Sequence, residues 1–156
     1  MLEPSVLDRI APAGPVNVER VTFPAMVAER TLFALDGDAY WIDAGTPTTY
    51  LAANLDLLNG RRAQESGVHP QAHVEGAVVT SVVGSGAHVG PGATVEQSVV
   101  FPGARIGSGA RVRDAIIGAR ALIGSGAVLE AGTVVGDEVV VPPGALLSGV
   151  RIPEET

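Results

Sequence analysis

Few side chains in this sequence can do chemistry, and their types narrow the options at once. There is no cysteine, which removes a thiol nucleophile, a thiolate zinc site and a disulfide framework. Three histidines, His69, His73 and His88, stand close together. Imidazoles are common zinc ligands, but His73 and His88 each precede an aliphatic residue that points inward in the repeat described below, which turns both rings outward. They read as exposed or capping histidines. The sharper candidate is Asp43, in the stretch YWIDAGTP at 40–47. It ends an aromatic run just before Gly45 and Thr46. On turn chemistry alone its carboxylate accepts hydrogen bonds from backbone N–H groups near Gly45 and Thr46 and so supports a helix start. Glu19 is a second acid near a helix start, where the positive end of the helix dipole favours it.

The elements that must position these groups have two different grammars. Residues 81–149 stack as SVVGSGAHVGPGATVEQ, SVVFPGARIGSGARVRD, AIIGARALIGSGAVLEAG and TVVGDEVVVPPGALLSG, rows of 17, 17, 18 and 17 residues. An aliphatic residue recurs every five or six positions, at Val83, Val89, Val95, Val100, Ile106, Val112, Ile117, Ile123, Leu129, Val135, Val141 and Leu147. Two residues before each stands a side chain that is almost always small, from Ser81 and Ala87 to Thr133 and Ala145. That spacing fits neither the 3.6-residue period of a helix nor a long alternating strand; it suits a short strand plus a corner. Three such units close one triangular coil, with the aliphatic residue stacked inside on its equivalent from the next coil. Gly84, Gly90, Gly107, Gly118, Gly124 and Gly136 follow inward residues and relieve the corners.

This pattern resembles the hexapeptide-repeat family, and the resemblance implies a left-handed parallel β-helix over 68–150, with a shorter first coil through Val68 and Val74. The fold hosts acyltransferases, metal enzymes and purely structural tails, so it does not fix a function. Acyltransferases of this kind use a coil-edge histidine beside an inserted loop. No insertion longer than one residue interrupts Val83 to Leu147, which disfavours that activity.

The first sixty residues are written differently. VNVERVTFPAMVAER has Val18, Val21, Met26 and Val27 at helical spacings, with Pro24 marking a break or a first turn, and predicts one or two short helices. TLFAL, DGD and AYWID read as strand, tight turn and strand, with Asp43 at the end of the second strand. Tyr40 and Trp41 read as packing residues. Thr46 is a good N-cap, Pro47 suits the first helical position, Leu51, Leu55 and Leu58 form a stripe, and Asn59-Gly60 ends the helix. RRAQESG then reads as a polar linker over 61–67. The expected organisation is therefore an α/β segment at 1–60, the linker, a mainly β coil at 68–150 and a tail at 151–156.

EPSVLDRI, VNVERVTFPAM and YWIDAGTPTTYLAANLDLLNG, followed by the repeat, resemble the closing part of the catalytic domain of sugar-phosphate nucleotidyltransferases, especially mannose-1-phosphate guanylyltransferases. Val21 departs from that pattern, since close relatives often carry an acid there. The resemblance implies an enzyme that joins a nucleoside triphosphate to a sugar 1-phosphate, releasing diphosphate and a nucleotide-sugar such as GDP-mannose. It also implies magnesium as cofactor, with Asp43 as one of its ligands, and places Glu19 and Gly45 near substrate. Two anions must be brought together in that reaction, so positioning and charge neutralisation supply much of the catalysis.

The resemblance also implies a strand and a Gly-rich phosphate loop with basic residues, and neither is here. The glycines up to residue 60 are Gly14, Gly37, Gly45 and Gly60, which form no phosphate-cradling cluster, and the chain has no lysine. The expectation is a C-terminal portion of a longer enzyme that does not catalyse the transfer alone. A stand-alone β-helix module for oligomerisation or regulation is the alternative.

Composition sets outer limits. Hydrophobic residues are 46% and charged residues 17%, ordinary for a soluble globular chain. Aromatics are only 4%, with 20 Gly and 11 Pro, so the core must be built from small aliphatics between many corners. The net charge of -7 and scattered arginines offer no path for a nucleic-acid backbone. No apolar run reaches the ~20 residues of a membrane span and no targeting signal is visible, which points to the cytoplasm. The flat faces and open ends of a β-helix invite stacking, so a homo-oligomer is expected.

Overall fold

A short strand with one inward side chain cannot bury itself, so the repeat is stable only when coils stack. The structure, a computed structural model, describes residues 2–12, 14–61 and 67–153. In it the repeat forms a β-solenoid of three parallel five-stranded sheets. One face is built from His73–Val74, His88–Val89, Arg105–Ile106, Leu122–Ile123 and Val140–Val141. A second carries Ala77–Val79, Thr94–Glu96, Arg111–Arg113, Val128–Glu130 and Leu146–Ser148. The third carries Val82–Val83, Val99–Val100, Ile116–Ile117, Val134–Val135 and Arg151–Ile152. Val68 pairs in parallel with Val83, which makes the shorter opening coil real.

The inward register is the one the repeat predicts. Of the twelve aliphatic positions, eleven are buried and only Leu147, on the last coil, is half-buried. The small partners pack between them, with Ala87, Ala104, Ala110, Ala115, Ala121 and Ala127 completely inaccessible. Between coils the backbone ladder is regular: His88 N–H donates to Ala104 O, Arg105 N–H to Ala121 O and Leu122 N–H to Val139 O, each at 2.8 Å.

The corners divide their work between two sets of residues. The glycines that follow inward residues relieve crowding between coils: a Cβ on Gly107 would lie 2.6 Å from Ser125 N of the next coil. The left-handed backbone of the corners falls instead on residues two further along, such as Gly109 at φ 67°. On the shortest side the corner is made without glycine, by Thr80, Gln97 and Asp114 at φ 42°, 45° and 47°. Buried serines brace it. Ser81 Oγ donates to Val79 O at 2.8 Å and accepts from Ser98 N–H at 3.0 Å. Ser98 Oγ donates to Glu96 O at 2.6 Å and accepts from Ala115 N–H at 3.1 Å. The fourth coil has one more residue here, and Ala131 and Gly132 both take left-handed backbone.

The chain divides into two compact units, Met1–Ala39 and Tyr40–Thr156. The first contains a 3-10 helix at Pro4–Arg9 and a single α-helix, α1, at Thr22–Ala28, with Pro24 in its first turn. Val6 and Met26 are its buried apolar residues, and Arg9 pairs with Glu29 at 2.6 Å. The expected hairpin is absent: residues 31–45 form no strand. Two strands alone are marginal in water, and the side chains that would need a third element to cover them, Phe33, Leu35 and Trp41, are all more than 80% exposed. Trp41 is therefore no packing residue in this chain. The second helix, α2, runs from Pro47 to Leu58, with Thr46 and Asn59 as its caps, as the sequence predicts. Most of the linker, residues 62–66, and the end of the tail lie outside the described residues.

Ser98→Ala leaves the buried Ala115 N–H without an acceptor and is expected to cost about 1–3 kcal/mol, read as a lowered urea midpoint in far-UV circular dichroism. Gly107→Ala forces neighbouring backbones apart and should lower the midpoint by a comparable ~1–3 kcal/mol; an unchanged midpoint in either variant would contradict the packing described.

Candidate functional site

Asp43 sits at the tip of a segment that is fixed at both ends. Its Oδ1 accepts a hydrogen bond from Gly45 N–H at 3.0 Å, closing a small turn. A side chain at position 45 would crowd that oxygen, since a Cβ there would stand 3.1 Å from Oδ1. Thr46 then caps α2 in a reciprocal box. Its Oγ1 accepts from Thr49 N–H at 3.2 Å, and Thr49 Oγ1 accepts from Thr46 N–H at 3.1 Å. On the other side of the turn, Tyr40 OH donates to Asp56 Oδ2 at 2.7 Å and ties the incoming segment to the body of α2. Asp43 itself is exposed, and its Oδ2 takes no hydrogen bond among the described residues.

The helix is in turn held by the coil. The third face of the solenoid differs from the others in what it shows to the outside. Its outward column is Val82, Val99, Ile116 and Val134 before it ends on Arg151, whereas the equivalent column of the first face runs His73, His88, Arg105 and only then Leu122 and Val140. Tyr50 of α2 stacks on Phe101 with ring centroids 6.0 Å apart and planes at 22°. Tyr50 and Asn54 line one groove with Val82, Val99 and Phe101. Pro47, Thr48 and Leu51 line a second, of about 360 Å³, with Asp114, Ile116 and Ala131–Thr133. The lengths match: 12 residues of helix span about 18 Å, and the four strand steps from Val68 to Val135 span about 19 Å. The N-terminus of α2, with Asp43 just before it, therefore lies over the third and fourth coils.

This support was missed in the sequence, although the signal was present. The rows begin SVV, SVV, AII and TVV, with two aliphatics in succession at one position of three. One of the pair points in; the other had to point out and needed a cover.

The other candidates are placed less tightly. Glu19 is exposed in the turn before α1, outside the helix's first turn, and belongs to the other compact unit from Asp43. The α1 N-cap is Val21, which makes no side-chain capping bond. His73 and His88 do point outward, their rings stacked at 5.7 Å, and His88 Nε2 lies 3.1 Å from Glu75 Oε1. His69 is exposed, and its Nδ1 accepts from Gln71 N–H at 3.1 Å. Among the described residues no three His, Cys, Asp or Glu side chains converge to hold a metal.

Residues 63–155 match the sequence family described as "GMPPB C-terminal domain". The chain is similar to "Probable mannose-1-phosphate guanylyltransferase 1" of Oryza sativa subsp. japonica, 37% identical over 95 residues, 58% of this chain and 26% of that protein. It is 44% identical over 62 residues to "Mannose-1-phosphate guanyltransferase" of Schizosaccharomyces pombe, covering 40% of this chain and 17% of that one. With "Mannose-1-phosphate guanylyltransferase" of Mycobacterium tuberculosis it shares 35% identity over 110 residues, 62% of this chain and 30% of the relative. The matched stretches thus span less than a third of these relatives' own lengths.

Thr46→Ala removes the acceptor for Thr49 N–H and should weaken α2 by about 1 kcal/mol. Amide hydrogen exchange is expected to speed up in the first turns of α2 while the coil amides keep their protection.

Proposed function

The chain belongs to the GMPPB C-terminal domain family, and on that premise we propose that it is the C-terminal portion of a cytoplasmic mannose-1-phosphate guanylyltransferase. The longer enzyme joins GTP to mannose 1-phosphate and releases diphosphate and GDP-mannose. What carries this reading is that the similar curated proteins bear that activity in their names, together with the family match over 63–155.

Asp43 is the residue of this chain that meets the chemistry, as one ligand of magnesium. An exposed carboxylate with one unbonded oxygen fits a hard cation that is held by one or two carboxylates and completed by substrate phosphates. It does not amount to a full ligand set, in keeping with the absence of a converging cluster among the described residues. When bound, the ion offsets the charge of the phosphates that must approach one another. The chain's own part is geometric. The Gly45 amide holds Oδ1 and leaves Oδ2 outward, and the missing side chain at Gly45 keeps the approach open for a substrate oxygen. Glu19, exposed in the first unit, is assigned a substrate contact from the family resemblance.

A homo-oligomer is supported by the last coil, whose edge strands expose Val140 and Leu146. In the same reading, this chain does not turn over alone. Incubated with magnesium, GTP and mannose 1-phosphate, it should release no diphosphate above background, and turnover would overturn that statement. In the longer enzyme that carries this sequence, Asp43→Asn should lower kcat by ~10²-fold or more, the scale of losing one preorganised electrostatic contact. An unaltered kcat would remove Asp43 from the site.

A further inference from the structure

We propose that the Tyr50–Phe101 ring pair and the aliphatic column beneath α2 are positioning elements for Asp43, so that the solenoid sets where the metal carboxylate stands. The inference rests on the reading of Asp43 as a magnesium ligand, and extends it to residues that touch neither metal nor substrate.

Among the described residues the hydrogen bond of Asp43 is local, from Gly45 N–H, and not to the coil, so the carboxylate is carried by α2. The Asp43 turn is closed by Gly45 N–H, and the next residue, Thr46, caps the helix. Tyr40, three residues before Asp43, is bonded to Asp56 in the third turn of the helix. Both flanks of the turn are therefore tied to α2, and any rotation or lift of the helix moves Asp43 with it. No residue of α2 is fully buried, so internal propensity and the cap alone leave it a marginal twelve-residue helix. Its fixed position has to come from the face on which it lies. What the face offers is the ring pair of Tyr50 and Phe101, a groove that Leu51 and Ile116 line together, and Leu58 beside Gly67, where a Cβ would come within 3.1 Å of Leu58 Cδ2. Phe101 is half-buried at a corner of the coil and is outside the interior stack, so it can be changed without opening the core.

The Gly45 amide is a direct reporter, because its hydrogen bond is the one that orients Asp43. In the full chain, Phe101→Ala is expected to raise hydrogen exchange at Gly45 and along α2 by about fivefold, the range set by loss of one aromatic pair, with the amides of Ile106 and Val112 unchanged. A second probe is Mn2+ added with GTP to the longer enzyme that carries this sequence, where the phosphates complete the ligand set; it replaces magnesium at oxygen sites and broadens nearby NMR signals. Its effect on Gly45 and Thr46 should fall several-fold in Phe101→Ala, stay at the unsubstituted level in Tyr50→Phe, which keeps the ring, and fall again in Leu51→Ala. If exchange in α2 rises while the Mn2+ broadening at Gly45 and Thr46 is retained, or if neither changes, the positioning role is wrong. If the unsubstituted longer enzyme with GTP shows no Mn2+ broadening at these amides, the metal reading of Asp43 falls and takes the metal half of the inference with it. The exchange arm then still decides whether the coil holds the turn. Lost protection at Ile106 and Val112 would show that Phe101 supports the coil itself, and would also overturn the proposal.

Discussion

Each side of the coil has room for one aliphatic and one small side chain, and for nothing else. That steric allowance fixes most of the molecule. It sets the five- or six-residue spacing, places alanine, serine or threonine two residues before every aliphatic but Val141, which Val139 precedes, and excludes a Cβ where one corner lies on the next, as at Gly107. Because the interior is filled by the same positions in every coil, the strands stack in register and every outward residue stands above its equivalent. An outward column is then a surface whose chemistry is chosen one residue at a time. On the early coils of one face the choice is histidine and arginine; on the same coils of another it is valine and isoleucine, and a helix lies there.

That second choice links the repeat to the acid at position 43. A two-residue strand is a poor support for a functional group, but the five stacked positions from Val68 to Val135, four spacings in all, make a strip as long as the helix it receives. The helix brings its own stop and start, with Thr46 at one end and Asn59 at the other, so its length and register are set before it docks. Asp43 gains a defined place without being part of any sheet or helix.

Legibility followed the range of the forces involved. The interior could be read directly, since Val89, Ile106 and Ile123 are each required by their immediate neighbours and by a copy one coil away. The α2 boundaries were equally plain, because capping by Thr46 and the arrest at Asn59-Gly60 are local chemistry. The strands expected around Asp36-Gly37 did not form, because a turn signal between apolar runs says nothing about whether a further strand is present to pair with them. Tyr40 found its partner sixteen residues on, in Asp56, and Trp41 found none that covers it. For Asp43 the backbone-acceptor role was legible and is present in the Gly45 bond. The cover over Val99 and Ile116 is announced only by the paired aliphatics, because the repeat specifies which residues point in and leaves what lies over the outward ones to a segment far away in sequence.

The one extra residue at Ala131–Gly132 has a wider meaning for how such a chain can change. Whole coils are interchangeable units: removing one deletes a complete layer, and the layers above and below find the same complementary surface. Helix length has no such freedom, since it changes by 1.5 Å steps while the strip changes by whole strand spacings of about 4.8 Å. The two gauges agree here for twelve residues and four steps. A lineage that gained or lost a layer beneath the helix would have to lengthen or shorten it by about three residues, nearly one full turn, to restore the same span, and single-residue slack such as that at Ala131–Gly132 is the finer adjustment left to the corners.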